Sequence, residues 1–144
     1  MIVQVRPPGA EPAAATSEVL VSKSDPNGYV LVIEDDDSIC EVISAILADA
    51  GYESICAQSA EQALRLVEER RPGVILLDLS VAGSDLDTVL AAYRRSPGEA
   101  APVVVMSGHP RIRDLAAEIG ADAMLEKPFD VLVLLDTVEA ALAR

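Results

Sequence analysis

Aromatic side chains are scarce in this sequence: no Trp, one Phe and three Tyr among 144 residues. The core therefore has to be filled by Val, Ile, Leu and Ala, and the length suffices for one domain with a full core. Basic residues are also few, 11 Lys and Arg against 24 Asp and Glu, for a net charge of −13. A surface that acidic repels phosphate backbones and anionic lipid. That argues against direct nucleic-acid or membrane binding, and it suits divalent cations and basic partner surfaces. Residues 1–27 hold Arg6 and Lys23 against Glu11, Glu18 and Asp25, so nearly all of the acidic excess falls on residues 28–144. No apolar run approaches the ~18 residues of a membrane span. Nothing in residues 1–27 resembles a signal peptide, and the cytoplasm is the expected compartment. Cysteine is limited to Cys40 and Cys56, without CxxC spacing. The preferred reading is two small buried hydrophobes, one in a helix and one in a strand, rather than a disulfide.

What is present is a set of short apolar runs that end in acid. Val74-Ile75-Leu76-Leu77 runs straight into Asp78, and Val30-Leu31-Val32-Ile33 into Glu34-Asp35-Asp36-Asp37. Uninterrupted apolar runs of this length read as strands buried on both faces of a parallel α/β sheet. Ligands bind just beyond the carboxyl ends of such strands. If the two strands are neighbours, their acids converge, and crowded carboxylates raise each other's pKa unless a cation holds them.

Residues 1–27 are poor in core formers, and Arg6-Pro7-Pro8-Gly9 and Asp25-Pro26-Asn27-Gly28 break regular structure. We read them as a mobile tail; the competing reading is a short linear motif around Val19-Leu20-Val21. The domain then covers 28–144. Strand one spans 29–33, followed by a helix with Ile39, Val42, Ile43, Ile46 and Leu47 on one face and Gly51 as its left-handed cap. Strand two spans 53–57. Ser59-Ala60-Glu61-Gln62 is a capping box that opens a helix with Ala63, Leu64 and Val67 inside, stopped by Arg71-Pro72-Gly73.

After strand three, Ser84-Asp85-Leu86-Asp87 opens a helix on Leu86, Val89, Leu90 and Tyr93, with a turn at Pro97-Gly98. Strand four is Val103-Val104-Val105-Met106, ending at Ser107-Gly108-His109-Pro110. Its helix carries Ile112, Leu115, Ala116 and Ile119, capped by Gly120. Strand five, Ala123-Met124-Leu125, ends at Glu126-Lys127-Pro128-Phe129. A last helix follows on Leu134, Leu135, Val138 and Leu142. Five strand–helix pairs in strict alternation force a parallel sheet with right-handed crossovers.

Past the strand ends stand Glu34, Asp35 and Asp36, then Asp78, Ser107 and Lys127. The acids can hold Mg²⁺, a hard cation that favours oxygen. The hydroxyl and ammonium can hold the oxygens of a transferred phosphoryl group. Asp78 is the natural nucleophile, since carboxylates form aspartyl phosphates. Asp36 and Asp37 read as helix N-terminal acids favoured by the dipole. His109 reads as a solvated loop residue, and Arg70-Arg71 and Arg94-Arg95 as solvated helix ends.

Four stretches in this order resemble the receiver domain of two-component response regulators. They are Val30-Leu31-Val32-Ile33-Glu34-Asp35-Asp36, Ile75-Leu76-Leu77-Asp78-Leu79, Val104-Val105-Met106-Ser107-Gly108 and Lys127-Pro128-Phe129. The resemblance covers about residues 29–143. It implies a flavodoxin-like (βα)5 doubly wound sheet in order 2-1-3-4-5; that order belongs to known receivers and does not follow from the residues alone. It implies Asp78 as phospho-acceptor, taking its phosphoryl group from a sensor histidine kinase or phosphotransfer protein and switching the binding of a downstream protein. It implies Mg²⁺ at Glu34, Asp35, Asp78 and the backbone carbonyl of Ser80, with Asp35 favoured over Glu34 as direct ligand. Ser107 matches the switch hydroxyl, Lys127 the phosphate-binding lysine, and the Lys127-Pro128 bond one that is cis in the family. The position of His109 matches one that tunes dephosphorylation.

Such a chain is not an enzyme on outside substrates; it catalyses only its own phosphorylation and dephosphorylation. Three positions depart from the family pattern: Ala82 for a Pro, Leu86 for a Gly, and Met124 for a switch Tyr or Phe. A haloacid-dehalogenase-type phosphatase would need a second Asp where Ser80 stands. A nucleotide-binding domain would need a Gly-rich loop where Glu34-Asp35-Asp36-Asp37 stands. A degenerate receiver that binds partners without phosphorylation is the alternative. The sequence stops after the fifth helix, which leaves a stand-alone receiver or a piece of a longer chain; the initial Met favours the first.

Overall fold

The chain's most apolar segments make the middle of a sheet. In the structure, a computed structural model that describes residues 28–81, 90–91, 93–95 and 101–143, three strands are buried throughout. They are β1 (Val30–Ile33), β3 (Val74–Asp78) and β4 (Val103–Ser107). The edge strands β2 (Ser54–Ala57) and β5 (Ala123–Glu126) are only partly buried. All neighbours pair parallel in the order β2-β1-β3-β4-β5, as expected.

Helices cover both faces, which is why the central strands do not alternate with polar residues. Val30, Val32, Val74, Leu76, Val104 and Met106 pack under α1 (Asp37–Asp49) and α4 (Val131–Leu142). Their neighbours Leu31, Ile33, Ile75, Leu77, Val103 and Val105 face the other way. They pack under α2 (Ala60–Glu69), α3 (Ile112–Ile119) and the helical residues around Leu90 and Tyr93. Gly28 enters the sheet at φ 85°, where a Cβ would stand 2.7 Å from the amide nitrogen of Gly73; only glycine fits that approach.

The helix punctuation is largely as the sequence predicts. Asp36 caps α1, accepting from the Ser38 and Ile39 amides at 2.8 and 3.2 Å. Gly51 follows α1 at φ 92° and Gly120 ends α3 at φ 70°. Ser59 caps α2 through the Gln62 amide at 3.1 Å, but the return arm of Gln62 reaches the Gln58 amide rather than that of Ser59. Val42, expected on the inner face of α1, is 58% exposed. The stripe is centred on Cys40, Ile43 and Leu47, and Val42 lies more than a third of a turn from that centre, at about 130°.

Two readings of charged and sulfur-bearing residues need correction. Arg70 and Arg71 are not merely solvated: Arg70 lies over the Tyr29 ring and pairs with Glu53 at 2.6 Å, and Arg71 lies over Tyr93. Arg94 donates to the Gly120 carbonyl at 3.2 Å. Cys40 and Cys56, expected to be separate, form a disulfide. Cys56 pairs in register with Val32 and packs on the face covered by α1. Cys40 looks inward from the first turns of that helix, with the two Cα atoms 6.2 Å apart, inside the usual range for a bridge. Residues 1–27, Ala82, the Ser84-Asp85-Leu86-Asp87 signature and Pro97-Gly98 lie outside the described residues. Among those described, no helix is long and apolar enough to cross a membrane.

Candidate functional site

Register brings the chemistry together. Ile33 is level with Leu77, so the next residues, Glu34 and Asp78, end β1 and β3 side by side. Asp78 is level with Met106, which sets Ser107 one step further out. Ser107 is level with Glu126, which puts Lys127 just past β5. The peptide bond from Lys127 to Pro128 is cis, as the resemblance implies, and the Lys127 amide donates to the Ser107 carbonyl at 2.8 Å.

The Asp78 carboxylate is buried and held from two sides. Lys127 Nζ reaches Oδ2 at 3.0 Å, and the Ser80 amide and hydroxyl both donate to Oδ1 at 2.9 Å. Glu34, also buried, accepts from Lys127 at 3.5 Å through Oε2 and from the Asp36 amide at 3.2 Å through Oε1. Asp35 is exposed, yet oxygens of Glu34, Asp35 and Asp78 all lie within 4.8 Å of one another. Ser107 is nearly buried, and its Oγ accepts the His109 amide at 3.0 Å. His109 itself is exposed, as expected, and its Nδ1 accepts the Arg111 amide.

The electrostatics follow from burying two acids beside one ammonium. Desolvation first, and then the hydrogen bond between the two carboxyls, push Glu34 from its ordinary 4.5 up to about 7. Burial alone would raise Asp78 too. The hydrogen bonds from Glu34, Ser80 and Lys127 outweigh it and hold Asp78 below the ordinary carboxylate range. Burial pulls Lys127 down, but its contacts with Asp78 and Glu34 win and keep the ammonium above its usual value. One acid thus stays ionised while its neighbour keeps a proton near neutrality. Three hard oxygen donors this close match what Mg²⁺ or Ca²⁺ takes.

Every site residue named from the sequence stands at this edge. The sequence points to the carbonyl of Ser80 and not to its hydroxyl; the turn after β3, closed by the Val81 amide on the Asp78 carbonyl at 3.2 Å, swings that hydroxyl onto Asp78. A short polar side chain two residues after a strand-end Asp is the one sequence signal for such a turn.

Residues 30–139 match the response regulator receiver domain. The nitrogen assimilation regulatory protein NtrX of Azorhizobium caulinodans is 38% identical over 117 residues, which are 78% of this chain and 26% of NtrX. The DNA-binding response regulator MtrA of Mycolicibacterium smegmatis is 33% identical over 80% of this chain and 50% of its own length. The chain thus spans a quarter to a half of these relatives. A response regulator receiver protein from Burkholderia phymatum superposes with a TM-score of 0.69 at 31% identity, covering 80% of this chain and 94% of that one. This chain belongs to the response regulator receiver family, whose general function is to accept a phosphoryl group.

Proposed function

We propose that Asp78 accepts a phosphoryl group from a sensor histidine kinase or a phosphotransfer protein, and that the product alters the binding of a downstream protein. The observation that carries this is the Asp78 carboxylate, buried against Lys127 at 3.0 Å with oxygens of Glu34 and Asp35 within 4.8 Å. Two donors from Ser80 tie down Oδ1. That leaves Oδ2, on the Lys127 side, to attack phosphorus. The O–P bond forms as the P–N bond of the phosphohistidine breaks, and the imidazole leaves with the electron pair. Lys127 is placed to take up charge on the phosphoryl oxygens, and the Ser107 hydroxyl, which accepts the His109 amide, keeps its own hydrogen to donate to one.

Glu34, Asp35, Asp78 and the Ser80 carbonyl are the residues that would hold Mg²⁺, which supplies positive charge against the incoming phosphoryl oxygens. The acting unit is the segment from residue 28 onward, with 1–27 as an appended tail. It works in the cytoplasm, on no substrate but itself. The acidic surface supports a role without direct contact to nucleic acid or membrane.

The test is intact mass after incubation with Mg²⁺ and acetyl phosphate. The parent should gain one phosphoryl group and Asp78→Asn should gain none. An adduct that persists in Asp78→Asn would move the acceptor elsewhere. No adduct with any donor would favour the module that binds partners without phosphorylation.

A further inference from the structure

We propose that Cys40 and Cys56 are a reversible dithiol–disulfide couple that sets the conformation of the acidic loop at residues 34–37. They are the chain's only cysteines, so neither has another partner within it. They come from two elements, α1 and β2, onto one peptide group: Cys40 Sγ lies 3.4 Å and Cys56 Sγ 3.8 Å from the main-chain carbonyl oxygen of Glu34. A thiol at either place can donate an S–H to that oxygen, and a disulfide cannot. The state of the pair therefore changes the hydrogen bonding of the same residue whose side chain meets Lys127 and lies beside Asp78.

The surroundings permit the exchange. Cys56 is half-buried on the edge strand β2, which pairs with β1 alone; Cys40 is buried beneath it. An outside low-molecular-weight disulfide would thus be attacked by the Cys56 thiolate, releasing one outside thiol. The Cys40 thiolate then attacks the Cys56 sulfur of the mixed disulfide and releases the second. Two electrons pass to the reagent, two protons leave the protein, and excess thiol reverses both steps. In a reducing compartment such bridges are transient and report redox state.

The experiment poises the intact chain in glutathione buffers from fully reduced to fully oxidised. Alkylation mass reads the sulfurs, and amide spectra read residues 34–37, without divalent cation. The two readouts should move together, with the loop amides passing between two sets of positions. Cys56→Ala and Cys40→Ala should each leave one set at every poise. A pair that stays in one state throughout, or one that converts while the loop amides stay put, overturns the proposal.

The effect on Mg²⁺ rests on the function proposed above and is read separately. The bridged form, with its loop tied to β2, should bind Mg²⁺ roughly tenfold tighter, the low end for an outer-shell partner. Equal affinities would overturn the coupling to the site. Binding to neither form would remove the Mg²⁺ reading while the couple still stood on its alkylation and amide readouts.

Discussion

Glu34 and Asp78 end neighbouring strands, both out of water, with one ammonium between them. Two negative charges cannot be held there by Lys127 alone, so a proton or a metal has to make up the difference. Without metal the proton sits on Glu34, chiefly because burial disfavours its charge. Its value in the folded chain, about 7, lies above the ordinary 4.5, so the folded state holds an extra proton between those two pH values. The associated stability is complete below about 4.5 and is lost as pH rises through about 7. Asp78, lowered, has the opposite sign: its contribution is present in the neutral range and fades only in acid. In metal chelator, the parent should therefore melt several degrees higher at pH 5 than at pH 8, with an upper limit on the order of 3 kcal/mol. Glu34→Gln carries no such proton and should flatten the difference. Equal melting temperatures for the parent at the two pH values would mean that Glu34 ionises in the fold as it does in water.

Among the four helices whose starts are described, α3 has the least secured beginning. Asp36, Ser59 and Asp130 cap the other three bounded helices with a side-chain oxygen, whereas Arg111, before α3, makes no side-chain cap. Residues 108–111 are exposed, and the loop is held by the Ser107 hydroxyl on the His109 amide. If phosphorylation draws that hydroxyl away, the loop and the first turn of α3 are free to move. Met124, half-buried on β5 and packed against the core that also holds Ile112, lacks a ring with two discrete resting places. With beryllofluoride as phosphoryl mimic, Ser107→Ala should suppress amide shifts across residues 108–119, and Met124→Ala should leave them largely intact. Shifts lost in Met124→Ala instead would make the thioether the switch.

The same scale shows what the sequence could reveal. Central strands of a parallel sheet must be apolar on both faces, so Val74-Ile75-Leu76-Leu77 is recognisable without a structure. Strand order came from the family resemblance, because alternation alone does not say which strands are neighbours. The Cys40–Cys56 bridge needs both the phase of α1 and the register of β2, and neither is written in a spacing of 16 residues. The seat of Arg70 over Tyr29 is hidden for a like reason, since the two are brought together only when α2 folds back across β1.

At the scale of the whole molecule, the acidic excess and the sheet edge act together. A net charge of −13 raises the local concentration of cations everywhere, but most surface carboxylates are screened and dispersed. The oxygens of Glu34, Asp35 and Asp78 are different: they lie within 4.8 Å, well inside the Debye length of ~8 Å at physiological salt. A divalent ion seated there binds the folded chain and not the unfolded one, so it stabilises by mass action. At a hundredfold excess over its dissociation constant the gain is about 2.7 kcal/mol, or roughly 10 °C in melting temperature for a domain of this size. Sodium chloride at matched ionic strength screens without seating and should give only a small part of that rise. Asp35→Asn removes the one exposed acid of the three; it should blunt the Mg²⁺ response while sparing the response to sodium chloride. It should leave the chain without Mg²⁺ as stable as the parent or more so, because one repulsion is gone. A mutant whose melting temperature climbs with Mg²⁺ as the parent's does would show that Asp35 is not a ligand, and that the rise belongs to the acidic surface at large.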